Sequence, residues 1–91
     1  MTIEQQYRQA LELTHQMLDA TRNQHWETLT VLEEQRAEVI ASIAKNPSPL
    51  YGPQKRSVAE IITEMERESA EIVERVQDWQ QGVKILLRMK D

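Results

Sequence analysis

The chain has no cysteine and no phenylalanine, and only two glycines and three prolines in 91 residues. Without cysteine there is no disulfide scaffold, no thiolate metal site and no thiol nucleophile, and such usage fits a reducing compartment. Scarce glycine and the lack of apolar–polar alternation argue against sheets, which need turn glycines at intervals. No stretch approaches the roughly 18 apolar residues of a membrane span. The opening Met1-Thr2-Ile3-Glu4-Gln5 has neither a basic segment nor an apolar run, so it does not read as a secretory signal. Cytoplasmic location is the expectation. The length suits one domain, 1–91, near the lower limit for a self-sufficient core.

What is abundant is helix-forming: Ala, Leu, Glu, Gln, Arg and Lys dominate. The formal charge is −4, with both signs interspersed. Such a surface repels nucleic acid unless a local basic patch overrides it. The best basic cluster is Lys84, Arg88 and Lys90, at the end of a helical stretch. There it complements the helix dipole. No nucleic-acid partner is expected.

Thr2 and Gln5 form a capping-box pattern, and Ile3, Tyr7, Ala10, Leu11, Thr14, Met17, Leu18 and Thr21 then recur on one helical stripe. Leu13 falls off that stripe. Thr21-Arg22-Asn23-Gln24-His25 interrupts it, and Asn23 is the residue expected to take the left-handed conformation that ends a helix. A second stripe runs through Trp26, Leu29, Leu32, Glu33, Arg36, Val39, Ile40 and Ile43. So short a connection makes the two helices antiparallel neighbours. Residues 46–53 hold all three prolines and one glycine and read as a loop. Val58, Ile61, Ile62, Met65, Ser69, Ile72, Val76, Trp79, Val83, Leu86 and Leu87 mark a third helix. The expected architecture is all-α: an antiparallel three-helix bundle, a helical hairpin (3–22 and 25–45) plus a longer third helix (54–89).

The first two helices, at about 20 residues, should be roughly 30 Å long, and the third roughly 50 Å. The third then outruns the hairpin unless it breaks at Gly82. Gly82 either kinks the helix, admits a close neighbour, or is simply exposed. If the helix runs on, Trp79, Val83, Leu86 and Leu87 lack a neighbour within the chain. An uncovered apolar stripe marks a partner surface or self-association.

No phosphate loop, dinucleotide fingerprint, nucleophile elbow or zinc-protease motif is present. The chain reads as a protein-binding module, not an enzyme. Glu12-Leu13-Thr14-His15 has the Glu-x-x-His spacing of di-iron bundles, but those need two such motifs and two further glutamates. No metal and no cofactor is expected from it. Glu33, Arg36 and Glu68 fall on inner faces as a candidate structural polar core. Charged residues are seldom buried unpaired, so Arg36 is expected to meet Glu68 or Glu33, setting helix register more than adding stability. The plainer alternative is that these side chains snorkel to the edge of the seam.

Trp26-x-x-Leu29-x-x-Leu32-Glu33-x-x-Arg36, after a polar turn, is followed by Ile61-x-x-x-Met65-x-x-Glu68-x-x-x-Ile72. Together these resemble the FliT family of bacterial flagellar type III export chaperones over nearly the whole chain. Glu68 stands where the family more usually has Asp, and Met65 where it has Leu. The resemblance implies a chaperone that holds the C-terminal helical region of the filament cap protein FliD in an apolar groove until export. It also implies docking on the flagellar export gate and ATPase complex, and, in some members, antagonism of the master transcription activator of flagellar genes. Longer members carry a further C-terminal helix that gates the groove; if that helix is absent here, naturally or by truncation, the groove is expected to be constitutively open. Candidate partner-binding residues are Ile72, Val76, Trp79, Val83, Leu86 and Leu87, with Leu13 or Val31 added from the hairpin. For Ile72 and Val76 the competing reading is ordinary core. The alternatives for the whole chain are a coiled-coil protein that forms a homodimer through its overhang, and a related chaperone for hook-associated proteins.

Overall fold

A computed structural model describes residues 2–45 and 49–89, with the side chains at 85–87 and 89 outside that description. Three helices follow in order: α1 (Ile3–Arg22), α2 (Trp26–Lys45) and α3 (Gly52–Met89). Thr2 caps α1. Its Oγ1 accepts from Gln5 N, and Gln5 Oε1 accepts from Thr2 N, which satisfies two of the donors a helix start leaves free. At the other end Gln24 N donates to Thr21 O and His25 N to Ala20 O. This is the paired 5→2 and 6→1 closure of a Schellman motif. Its left-handed residue is Gln24, with φ 58, and not Asn23, whose φ is −97. Asn23 instead turns its side-chain amide back to Asp19 O at 2.8 Å. His25 then opens α2, its carbonyl accepting from Leu29 N.

The third helix begins two residues earlier than the sequence suggests. Gly52 has φ 56, which favours glycine, and Pro53 follows in the first-turn position where a missing N–H costs nothing. The expected loop at 46–53 lies partly outside the described residues.

The chain runs up, down and up. Gln6 reaches Ser42 and Thr14 faces Arg36, so α1 and α2 are antiparallel. His15 faces Glu68 and Arg22 faces Glu71, so α3 runs parallel to α1. Among the described residues α1 packs against both other helices, while no Cα of α2 comes within 8 Å of α3. The first helix is therefore the middle element, and its buried arc is wide. Ala10, Thr14, Met17, Leu18, Ala20 and Thr21 are all buried on it, and Leu13, off the expected stripe, still packs on the core. Small residues at 10, 14, 20 and 21 let the neighbouring helices approach. Thr14 and Thr21 return their hydroxyl protons to Ala10 O and Met17 O, both at 2.8 Å, so neither is stranded.

On α2 the buried arc is narrow, because only α1 approaches its backbone closely. Leu32 is buried, Trp26, Leu29, Arg36, Val39 and Ile43 are half-buried, and Glu33 and Ile40 are exposed. Met17, Leu18, Ala20, Leu32 and Ile72 make one apolar cluster, joined by Leu13, Leu29 and Val76. Burying each of its large side chains is worth about 2 kcal/mol.

At the 38 residues of α3, the helix is about 57 Å long, nearly the full 59 Å extent of the molecule. It passes Gly82 without a break, and nothing lies within 4 Å of where a Cβ would stand there. Gly82 is thus an exposed helical glycine and not a close-packing site.

The left-handed Gln24 is a local strain that glycine would relieve. Gln24→Gly is expected to raise unfolding stability by about 1 kcal/mol in urea denaturation.

Candidate functional site

Where the three helices meet, one arginine joins them. Arg36 Nη1, from α2, donates to Thr14 Oγ1 on α1 at 3.2 Å and to Ser69 Oγ on α3 at 3.0 Å. Thr14 is doubly used, since the same oxygen donates onward to Ala10 O. The polar core expected from sequence is therefore differently wired. Among the described residues Arg36 makes no carboxylate ion pair, Glu33 is exposed on the flank of α2, and Glu68 belongs to α1's side of the seam. The physical reason is the spacing. The backbones of α2 and α3 stand apart, and the guanidinium spans that gap to the short hydroxyl of Ser69.

Glu68 pairs with His15. Its Oε1 lies 2.6 Å from His15 Nδ1, and Glu64 Oε1 lies 3.8 Å from His15 Nε2. The other oxygen of Glu68, Oε2, is buried without a hydrogen-bond partner. Closer to the hairpin turn, Arg22 reaches Glu71 through Nε at 3.0 Å and Nη2 at 3.3 Å, and Arg75 joins the same carboxylate at 2.8 Å. Hydrogen bonds from Arg75 first and Arg22 second hold the Glu71 carboxyl below its usual range. At the turn itself Trp26 and Trp79 pack with ring centroids 4.9 Å apart, tilted by 50°. That is the aromatic separation at which tilted pairs attract.

These contacts place the turn of the hairpin level with Trp79. They sort the six candidate binding residues. Ile72 is buried and Val76 packs on the core cluster, so both help hold the bundle together. Trp79 does have a neighbour in its own chain, Trp26, although it stays 43% exposed. Val83 is half-buried. Leu86 and Leu87 sit in the helix, but their side chains lie outside the described ones. Beyond Trp79, α3 continues as helix over residues 80–89, about 15 Å.

A second apolar surface lies at the opposite end of the seam, and the sequence reading missed it. Ile3, Tyr7 and Ala10 of α1, Ile40, Ile43 and Ala44 of α2, Leu50, and Met65 of α3 line a cleft of about 350 Å³. Its signal in the sequence was Ile40, which sits one turn beyond Arg36 at the flank of the α2 stripe. Val31 and Val73 are further exposed apolar residues.

The described residues define an all-α helical bundle with an apolar-lined cleft at one end. Residues 4–89 match the family model FliT, described as flagellar protein FliT. The chain belongs to the FliT family, and with it to the flagellar export chaperones. No curated protein and no solved structure matches it. No helix among the described residues is long and apolar enough to cross a membrane.

The Arg36 bridge is directly testable. In a double-mutant cycle of Arg36→Met with Thr14→Val, urea unfolding should give a coupling energy of about 1 kcal/mol. Additive single-mutant effects would mean that the hydrogen bond contributes nothing.

Proposed function

We propose that this chain is a cytoplasmic export chaperone for the filament cap protein FliD. It binds the C-terminal helical region of that subunit, keeps it from premature assembly, and hands it to the export gate and its ATPase complex. Membership of the FliT family over nearly the whole chain is the observation that carries this reading.

The proposed docking surface is the far part of α3. Trp79 forms its near edge, and Val83, Leu86 and Leu87 continue the sequence stripe along the part of α3 that runs beyond the hairpin turn. An amphipathic client helix would lay its apolar face there, read by anchors at helical spacing. Ile72 and Val76 act one step removed, by fixing the base from which that stretch projects. The cleft lined by Ile40, Ile43 and Met65 supports a second reading, in which the client is seated at the other end of the seam. Self-association through the overhang is the competing use of the same surface.

Calorimetric titration with the C-terminal segment of a flagellar cap protein separates these readings. Val83→Glu combined with Leu86→Glu should weaken binding more than tenfold, about 1.4 kcal/mol, with helicity by circular dichroism retained. Ile40→Glu should leave affinity within about threefold, since it lies away from the proposed surface. The opposite pattern moves the client to the cleft. A folded chain that binds no cap-protein segment sinks the proposal, and dimers persisting at low micromolar concentration by light scattering favour self-association.

A further inference from the structure

The geometry points to a divalent transition-metal site, of the zinc class, between α1 and α3 at His15, Glu64 and Glu68. One ring nitrogen of His15 and one carboxylate oxygen from each glutamate lie within 4.8 Å of one another. The two glutamates are one helical turn apart on α3, which puts both on the face that meets α1. His15 stands opposite them, with Nδ1 2.6 Å from Glu68 and Nε2 3.8 Å from Glu64.

Two features distinguish this cluster from a chance meeting of acids. The first is the imidazole, a preferred ligand of zinc, copper and nickel that magnesium and calcium seldom take. The second is the buried Oε2 of Glu68, which has no hydrogen-bond donor. A buried carboxylate oxygen left without a partner is costly, and a cation coordinated by the Glu68 carboxylate would compensate it. The fit needs little movement. Ligand atoms around tetrahedral zinc stand about 3.4 Å apart, given bond lengths near 2.1 Å. Glu64 and His15 are both partly exposed, so Glu64 can swing inward and the 2.6 Å His15–Glu68 pair can open by about 1 Å. Water would complete the coordination as at other three-ligand sites.

The Glu12-x-x-His15 spacing in the sequence thus names the right histidine with the wrong carboxylates. The acidic partners come from α3, and only the fold brings them in. A metal here would tie α1 to α3 at mid-bundle, as metals do in other small domains with little core. This inference is independent of the client proposed above.

The test uses the full chain with zinc alone, followed by thermal melts and calorimetry. Zinc at about 100 times its Kd should raise Tm by roughly 10 °C with one-to-one stoichiometry, and magnesium should not. His15→Gln should abolish the rise. Glu64→Gln, at a half-exposed position that folding tolerates, should weaken zinc binding at least tenfold. His25→Gln should leave it unchanged. A Tm that zinc does not move overturns the site. So does a zinc response that survives both His15→Gln and Glu64→Gln, one lost in His25→Gln, or one that magnesium reproduces equally.

Discussion

A guanidinium on one helix that must be satisfied by the other two sets the geometry of this protein. Arg36 cannot be left unpaired in a half-buried seam, and it finds Thr14 on one side and Ser69 on the other. Those two bonds specify which residues of α1, α2 and α3 stand level with each other. They also keep α2 and α3 at the distance of a long side chain, so that α1 alone touches both backbones. Below the bridge the seam fills with Leu32, Ile72 and their neighbours. Above it the seam opens into the cleft lined by Ile40, Ile43 and Met65.

Register then becomes function. With Arg36 level with Ser69, the hairpin turn must fall near Trp79, and the Trp26–Trp79 pair and the Arg22–Glu71–Arg75 cluster lock it there. A helix of 38 residues beside helices of 20 leaves its remainder projecting. The apolar stripe does not stop where the cover stops. That mismatch of length and pattern is the feature on which the proposed docking surface of α3 rests.

Much of this was legible in the sequence, for stated physical reasons. Helical periodicity and the Thr2–Gln5 box gave α1 to the residue, since both are local properties. The overhang followed from arithmetic on helix lengths, and the run of α3 through Gly82 resolved the only doubt in it. What escaped depended on which helix lies in the middle. A stripe in sequence cannot say how many neighbours cover it, so Leu13, off the stripe, packs on the core, and Glu33, on it, is exposed. The partner of Arg36 was sought among carboxylates because charge pairing is the usual rule, whereas the gap between α2 and α3 admits a hydroxyl. Gln24 took the left-handed position from Asn23 because the closing hydrogen bonds select a place in the chain before they select a residue type.

The proposed docking role requires α3 to be one helix in two mechanical regimes, packed on the hairpin up to Trp79 and free of it beyond. Hydrogen–deuterium exchange of the free chain and of the chain with the cap-protein segment measures this directly. Amides at 80–89 should exchange at least about 100-fold faster than those at 61–76 in the free chain, and become protected when the segment binds. Equal protection along the whole helix in the free chain, or a far end that the bound segment leaves unchanged, would contradict it.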